Sequence, residues 1–262
     1  MDPKCAYIGV FDSGLGGISV LSHLVKTLPH EDFYYFGDTK HNPYGSRTQA
    51  EIFELAEGIV RTMIEDQAKA IVIACNTATS AAAERLRELF PTTPILGIEP
   101  ALKPACIDPA CKNVLVMATP KTLSLKKFQT LAESLSSSYH THVIPLACDE
   151  LASCIEREDA DSVRLKQLVH ELLQPYAHKV DAVVLGCTHY PFVKHDILRE
   201  LGPIPCFDGA EGLSAHVQDV LTQQDLLNPQ TCAGTVTFSS SDASAHTLDK
   251  YQHFFERACA EV

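Results

Sequence analysis

The chain has 262 residues, of which 45% are hydrophobic and 21% are charged, and its formal net charge is −12 at pH 7 with neutral histidines. This acidity argues against a broad nucleic-acid-binding face, because such affinity depends on Lys and Arg at the phosphates. No apolar run approaches the ~18 residues of a membrane span, and no basic N-terminal segment precedes an apolar one. We therefore expect a cytoplasmic protein with neither membrane nor nucleic-acid partners.

The ten cysteines do not indicate a disulfide framework. A chain of this length with a rich hydrophobic core does not need disulfides for stability. The absence of any C-x-x-C pair also weakens zinc-ribbon and thioredoxin-type interpretations. Seven of the cysteines are expected to be small buried hydrophobic residues: Cys5, Cys106, Cys111, Cys154, Cys206, Cys232 and Cys259.

Short apolar runs alternate with amphipathic helical patterns along the whole chain, which indicates parallel sheets flanked by helices. In the first half, strands are predicted at 6–11, 33–36, the run ending at Cys75, and 95–98. Helices are predicted there at 14–28, from a Thr48 cap through 64, and from the Cys75 region to 90.

The second half repeats the same order of elements. Strands are predicted at 114–117, 142–145, the run ending at Cys187, 204–207 and 235–238. Helices are predicted to open at Thr119-Pro120 and to cover 151–157, 163–176, a segment after Pro191, a segment up to 221, and 248–258.

This repetition predicts an α/β fold of two similar lobes, each a mostly parallel sheet flanked by helices. The segment from about 208 onward is expected to return to the first lobe, which then comprises 1–98 plus 208–262. The second lobe comprises 99–207. We expect the active site in the cleft between the two lobes.

Cys75 and Cys187 occupy closely similar settings. Each ends a short apolar run, and small hydroxyl or amide residues follow it. Ligands of open α/β sheets bind beyond the carboxyl ends of the strands. Two matched thiols, one from each half, therefore suggest a proton-transfer site with two sides.

Two further residues are candidates for moving or holding a proton. An ordinary Cys is only a few per cent ionised at pH 7, and His189 is placed to stabilise a Cys187 thiolate; the alternative is a structural histidine. Asp12 precedes a glycine-rich segment where a helix N-terminus favours an anion. Because neither G-x-G-x-x-G nor a P-loop lysine is present, a carboxylate fits better than a nucleotide. Asp12 then either caps the helix or handles a proton.

Short polar side chains next to the two cysteines are candidates for binding a substrate. Asn76, Thr77 and Thr188 can bind an amino group and a carboxylate without a buried fixed charge. The turn Pro43-Tyr44-Gly45 can offer backbone N–H groups to a carboxylate, although it is equally typical of an ordinary surface turn.

Metal chemistry and hydrolysis are weaker interpretations of the same residues. Cys187 and His189 would share one face of a strand, but no third ligand stands at a usual spacing, so no metal site is expected. A thiol hydrolase stays open, because Cys187 and His189 suffice for a nucleophile and its base. That interpretation leaves Cys75 unexplained.

Taken together, these motifs resemble the glutamate racemases, cofactor-independent members of the aspartate/glutamate racemase superfamily. The matching stretches lie in family order at 8–17, 35–39, 43–45, 74–78 and 185–191. Lys40-His41-Asn42 and Cys148-Asp149-Glu150 depart from the family pattern. Aspartate-specific relatives usually carry an acidic residue in place of His189, so the resemblance favours glutamate, with an aspartate or other amino-acid racemase as the alternative.

The resemblance implies interconversion of L- and D-glutamate by Cys75 and Cys187 without pyridoxal phosphate or another cofactor. Asp12 would assist Cys75, whereas His189 and Glu156 would assist Cys187. The implied substrate contacts are Asp12, Ser13, Pro43, Tyr44, Gly45, Asn76, Thr77, Thr188 and His189. The resemblance also implies a role in supplying D-glutamate for peptidoglycan, and a possible homodimer. A binding protein that has lost catalysis is a further alternative.

Overall fold

The computed structural model describes residues 3–157 and 162–262. The chain divides into two compact units. The first unit contains the residues up to Ile98 together with Ala210–Val262, and the second contains Glu99–Gly209.

The described residues form nine strands. They are β1 (Ile8–Asp12), β2 (Phe33–Gly37), β3 (Ala70–Ile73), β4 (Ile95–Gly97), β5 (Asn113–Ala118), β6 (His142–Ala147), β7 (Ala182–Gly186), β8 (Cys206–Asp208) and β9 (Val236–Ser240).

Eleven α-helices connect or follow these strands in the described residues. They are α1 (Ile18–Thr27), α2 (Gln49–Glu65), α3 (Asn76–Leu89), α4 (Leu102–Ile107), α5 (Pro120–Ser124), α6 (Lys126–Tyr139), α7 (Leu151–Arg157), α8 (Val163–Leu173), α9 (Lys194–Leu201), α10 (Ala210–Gln223) and α11 (Ala245–Glu261).

Each unit contains one sheet, and every strand pair is parallel. The order is β4-β3-β1-β2-β9 in the first unit and β6-β5-β7-β8 in the second. Apart from β9, the two sheets have the same topology, because β2-β1-β3-β4 corresponds to β6-β5-β7-β8. The strands that lead to the two cysteines, β3 and β7, hold equivalent positions. The predicted class, α/β with two similar parallel sheets flanked by helices, is confirmed.

Apart from Asp12 at the end of β1, the central strands are apolar, because helices cover both faces of a parallel sheet. Every residue of β1, β3 and β7 is buried. In the first unit, α2 and α3 pack their apolar faces on the sheet, and α1 contacts α10 and α11. In the second unit, α4 and α6 contribute to the core formed with β5 and β7.

Local signals in the sequence explain where several elements begin. Thr48 caps α2 as predicted, and it forms a capping box with Glu51 that satisfies two N–H groups at the helix start. Thr119 caps α5 with Pro120 at its first position. Strand β8 begins later than predicted, at Cys206, because Pro205 has no N–H to donate to a neighbouring strand.

The helices also differ from the sequence predictions, and α1 begins at Ile18, four residues later than predicted. The helix predicted to open at Thr119-Pro120 breaks at Leu125 into α5 and α6. The predicted helix 163–176 ends at Leu173 and continues as a 3₁₀ turn, Gln174–Tyr176, since a proline cannot continue the helical hydrogen bonding. Helix α4 was not predicted, because its six residues are too few to show helical periodicity.

The ten cysteines are all free thiols. The expectation that they are buried is wrong for three cysteines that are exposed, Cys5, Cys232 and Cys259. Cys206 is only partly buried. In the described part of the chain, no helix is both long and apolar enough to cross a membrane.

Candidate active site

In the first unit, polar residues collect at the carboxyl ends of neighbouring strands. Asp12 is the last residue of the central strand β1, and Asp38 directly follows β2. Cys75 follows β3 and is the N-cap of α3. Because adjacent parallel strands end at the same edge of a sheet, the fold brings these residues to one edge.

The Cys75 sulfur lies at the start of a helix. Its Sγ accepts a hydrogen bond from the backbone N–H of Ala78 (3.4 Å), and its thiol donates to Ser13 Oγ (3.7 Å). The positive end of a helix dipole favours the anionic form of a thiol placed there. These contacts give Cys75 groups that suit both its thiol and its thiolate form.

Asp12 does not cap α1, so one of the two interpretations of this residue is wrong. The N-cap of α1 is Gly17, which has no side chain to cap with. The Asp12 carboxylate is fully buried and accepts from the N–H of Gly14 (2.9 Å), which closes a turn two residues on. Proton handling is the interpretation that stays open.

Asn76 contains an unsatisfied buried acceptor. Asn76 and Thr77 lie on the first turn of α3, and both are buried. Among the described residues, Asn76 Oδ1 has no hydrogen-bond partner. Leaving a buried acceptor unpaired costs roughly 1–3 kcal/mol, so this oxygen is placed to accept a hydrogen bond from a bound donor such as an ammonium group.

The turn that contains Tyr44 is anchored from inside. The Tyr44 hydroxyl donates to Asp38 Oδ2 (2.7 Å), and Asp38 Oδ1 lies 2.7 Å from His41 Nδ1. Burial, followed by the charge of Asp38 and its hydrogen bond, raises the pKa of Tyr44 far above its ordinary value. The Tyr44 side chain is thus committed to Asp38, and the backbone of Pro43-Tyr44-Gly45 is the part available to a ligand.

Asp38 is a site residue that the sequence analysis missed. The available signal was its position in the stretch at 35–39, two residues beyond the predicted strand 33–36. The N–H of Asp38 also donates to the carbonyl of Asp12 (2.9 Å). Asp38 therefore joins the Tyr44 turn to the end of β1.

In the second unit, Cys187, His189 and Glu156 form a chain of contacts. Cys187 directly follows β7, and its Sγ lies 3.6 Å from His189 Nδ1. His189 Nε2 lies 2.8 Å from Oε1 of Glu156, on α7. Thr188, between Cys187 and His189, is also buried.

The reason given for the Cys187–His189 contact was wrong, although the contact exists. Strand β7 ends at Gly186, and His189 has helical dihedral angles (φ −77°, ψ −31°). The two side chains therefore meet through a turn and not by alternation along a strand. A 3₁₀ turn at Tyr190–Val193 separates Cys187 from α9, so its sulfur is not at the start of an α-helix.

The environment of His189 favours the imidazolium. Burial alone would lower its pKa, but hydrogen bonds to Cys187 and Glu156, together with their charges, outweigh burial and raise that pKa well above its ordinary value. An imidazolium donates from both ring nitrogens. It can therefore stabilise a Cys187 thiolate on one side while Glu156 holds it on the other.

The predicted site residues thus form one group in each unit. The first group contains Asp12, Ser13, Tyr44, Cys75, Asn76 and Thr77, and the second contains Glu156, Cys187, Thr188 and His189. Within residues 3–157 and 162–262, no cluster of three or more His, Cys, Asp or Glu side chains is arranged to hold a metal ion.

Comparison with known proteins gives consistent matches. Residues 17–219 match the family model described as Asp/Glu/Hydantoin racemase. A glutamate racemase of Clostridium botulinum is 38% identical over 258 residues, which cover 98% of this chain and 99% of that protein.

Two crystal structures of glutamate racemases have the same fold over nearly the whole chain. The Francisella tularensis enzyme in complex with D-glutamate has a TM-score of 0.83 at 27% identity, covering 97% of this chain and 94% of that one. The Escherichia coli enzyme in complex with L-glutamate and the activator UDP-MurNAc-ala has a TM-score of 0.83 at 25% identity, covering 95% of both chains.

Proposed function

The chain is an enzyme of the Asp/Glu/Hydantoin racemase family, within its glutamate racemases, and from this premise we propose that Cys75 and Cys187 interconvert L- and D-glutamate by proton transfer at Cα. The observation that carries the proposal is the equivalence of the two thiols. Cys187 directly follows β7, and Cys75 lies two residues beyond β3. These two strands hold the same position in the four-strand topology that both sheets share. Each thiol also has nearby groups that can stabilise a thiolate.

The proposed reaction has two proton transfers. The thiolate of Cys187, stabilised by the His189 imidazolium, removes the Cα proton, so that an S–H bond forms as the C–H bond breaks. The electron pair left on Cα is delocalised into the substrate carboxylate. The Cys75 thiol then gives its proton to the opposite face of Cα and becomes a thiolate. The reverse sequence converts the other enantiomer, because a base and an acid simply exchange roles.

We propose that uncharged polar groups hold the substrate. Asn76 Oδ1, which lacks a partner among the described residues, accepts a hydrogen bond from the substrate ammonium. The hydroxyl groups of Thr77 and Thr188 and the backbone of the Tyr44 turn bind the carboxylates. Buried donors that match a substrate's polar groups discriminate strongly against analogues that lack those groups.

One observation favours a second candidate, a thiol hydrolase. The Cys187–His189–Glu156 chain has the order of a nucleophile, its base and the group that orients the base. A hydrolase would form a covalent acyl-enzyme at Cys187 and would keep its activity in Cys75→Ala. Intact-protein mass spectrometry with ester and amide substrates separates the two candidates, because the racemase forms no covalent adduct.

The experiment that tests the proposed function is a substrate survey. The purified enzyme is incubated with L-glutamate, and the products are separated on a chiral column, with L-aspartate as the matched control. We expect D-glutamate to accumulate to equal amounts with L-glutamate, and aspartate to remain unchanged. Turnover of aspartate alone would assign a different substrate, and turnover of neither would contradict racemisation.

The cellular role of the enzyme and its oligomeric state are proposed from the family resemblance alone. We propose that the enzyme supplies D-glutamate for peptidoglycan in the cytoplasm, and family resemblance supports this role. The homodimer stays a prediction from resemblance, and light scattering of the purified protein would measure its mass.

A further inference from the structure

Tyr190 lies beside Cys187 and is not among the residues predicted for the site. It begins the 3₁₀ turn Tyr190–Val193 and is completely buried. Its N–H donates to the carbonyl of Cys187 (3.1 Å), and its hydroxyl donates to the carbonyl of Cys148 (3.3 Å). Tyr190 thus connects the segments that follow two different strands of the second sheet.

The sheet register shows what Tyr190 spans. Ala118, at the end of β5, pairs with Ala147 of β6 and with Gly186 of β7. Cys148 and Cys187 are the next residues on the two flanking strands, one on each side of β5. The Tyr190 side chain therefore crosses the carboxyl end of β5, and its hydroxyl lies among the groups that follow β6 and β7.

The hydroxyl of Tyr190 stays protonated. Burial, the charges of Cys187 and Cys148, and hydrogen bonds to these two thiols together raise the pKa of Tyr190 well above its ordinary value. Burial likewise raises the pKa of Cys148 to about 12, so Cys148 stays a neutral thiol near neutral pH. The proposed function assigns proton exchange to the other thiol, Cys187, and Tyr190 is a donor at every working pH.

The hydrogen bond from the Tyr190 hydroxyl to the Cys148 carbonyl is weak enough for the hydroxyl to change its acceptor. Strong O–H···O bonds measure about 2.5–3.0 Å between the oxygens, whereas the Tyr190 hydroxyl is 3.3 Å from its acceptor. A hydrogen bond to an ionised acceptor is roughly twice as strong as one between neutral groups. Formation of a thiolate at Cys187 therefore draws the single hydroxyl proton toward sulfur.

We propose that Tyr190 is a positioning residue for proton transfer at Cys187. Its hydroxyl donates to the Cys148 carbonyl while Cys187 is a thiol, and it donates to Cys187 Sγ when Cys187 is a thiolate. The proton stays bonded to the Tyr190 oxygen in both states, and no covalent bond to it breaks. This role rests on the proposed function of Cys187 as the exchanging thiol. Tyr190 and His189 together supply the thiolate with two donors.

The test measures the Cys187 thiolate directly, without glutamate. Alkylation of Cys187 by iodoacetamide is followed against pH by peptide mass spectrometry in the wild type and in Tyr190→Phe. We expect the midpoint to rise by about one pH unit, with a roughly tenfold slower reaction at neutral pH, a ratio equivalent to 1.36 kcal/mol. The profile of Cys75 should not move. Tyr7→Phe, whose hydroxyl contacts Asp66 in the first unit, is the matched control and should leave both profiles unchanged.

A second variant keeps the test decisive if Tyr190→Phe does not fold. Incorporation of 3-fluorotyrosine at position 190 keeps the shape of the ring and makes the hydroxyl a stronger donor, so the Cys187 midpoint should fall. Profiles that coincide with the wild type in a folded variant would overturn the role of Tyr190. The alkylation experiment needs no substrate, so it is independent of racemase activity. If the wild type racemises glutamate but the Cys187 alkylation profile does not move in the Tyr190 variants, only the role of Tyr190 is refuted. A moved profile without racemisation refutes only the proposed function.

Discussion

Cys75 and Cys187 differ in the groups that stabilise their sulfur atoms. Cys75 has the N–H of Ala78 at a helix start and the hydroxyl of Ser13, which do not titrate near neutral pH. Cys187 has the imidazole of His189, whose raised pKa favours the imidazolium. The Cys187 thiolate therefore has a cation beside its sulfur, whereas the Ala78 and Ser13 groups that contact Cys75 are uncharged.

Removal of either thiol should abolish racemisation. Cys75→Ala and Cys187→Ala each lack the acid or base for one face of Cα, and a positioned acid or base contributes roughly 10²–10⁴-fold. We expect each variant to lose at least about 10³-fold in kcat, measured by circular dichroism of glutamate. Cys106→Ala, which removes a buried thiol on α4, is the control. Substantial turnover by either site variant would contradict the two-thiol mechanism.

Replacement of His189 should weaken the Cys187 thiolate. His189→Asn removes the imidazolium, so we expect kcat to fall by about 10²-fold, within the usual range for an acid–base group. The pH midpoint for alkylation of Cys187 should rise, because the thiolate loses its cation. An unchanged midpoint would show that His189 is only structural.

The contact between His189 and Glu156 also predicts how the free energy of unfolding depends on pH. The pKa of His189 is raised in the folded state, so its stabilisation is complete below the unfolded value of about 6.5. It is lost as the pH rises through the raised folded-state value. Urea unfolding of the wild type and His189→Asn should therefore differ more at low pH than at high pH. His170→Asn, at a more exposed pair with Glu200, should show a small difference throughout.

At the level of elements, tight packing fixes the loop after β1. A Cβ at Gly17 would lie 2.6 Å from the Cβ of Asp12 and 2.9 Å from the Cβ of Ala74. Both neighbours are held close to the backbone and cannot turn away. The absence of a side chain at Gly17 thus allows α1 to begin beside Asp12 and the residue before Cys75.

Gly17→Ala should therefore damage the site. Overpacking of this kind costs typically about 1–3 kcal/mol, and displacement of Asp12 should lower kcat by more than about tenfold. Gly58→Ala in the middle of α2 is a matched control, because nothing lies within 4 Å of its added Cβ. That control should be stabilised by roughly 0.5–1 kcal/mol. Equal melting temperatures for the two variants would contradict this account.

The sequence predicted the elements better than their contacts. The apolar runs and the Thr48 cap predict most strands and α2, because burial and capping are local properties of the chain. The Cys187–His189 contact was predicted for a wrong reason, since the turn after Gly186 depends on packing that no periodicity shows. Asp38 was missed because its partners, Tyr44 and His41, are brought to it by the path of a polar loop.

For the whole molecule, the first unit depends on a segment that returns from the end of the chain. Strand β9 pairs with β2, and α10 and α11 contact α1. The chain passes from the first unit to the second after Ile98 and returns after Gly209, and Asp208 belongs to β8 of the second unit. The order of strands in each sheet was not predictable, because apolar runs show burial but not neighbours.

A buried ion pair stabilises the packing of this returning C-terminal segment on the first unit. Lys69 Nζ lies 2.5 Å from Glu31 Oε2 and donates to the carbonyl of Lys4 (2.7 Å). Glu31 Oε1 accepts from the N–H of Asn228 (2.8 Å). Both side chains of the pair are almost completely buried. The pair thus joins the residues before β2 and β3 to the loop after α10.

Lys69→Met should destabilise the protein strongly. It leaves the Glu31 carboxylate buried without its cation, which typically costs about 3–5 kcal/mol, measured by urea unfolding. Lys69→Met combined with Glu31→Gln should recover part of this loss, since no charge remains buried. Lys4→Met, at the more exposed pair with Asp225, should cost about 0–1 kcal/mol. Similar losses in Lys69→Met and Lys4→Met would contradict the role of the pair.

The most direct test of the two-thiol reaction is the fate of the Cα hydrogen in D2O. L-glutamate is incubated with the enzyme, and each enantiomer is isolated at low conversion and analysed by mass spectrometry for deuterium at Cα. Because one thiol removes the proton and the other delivers a solvent-derived one, we predict fully deuterated D-glutamate and remaining L-glutamate that keeps its protium. Deuterium in both enantiomers, or protium carried into D-glutamate, would contradict the account, because a single base would then serve both faces.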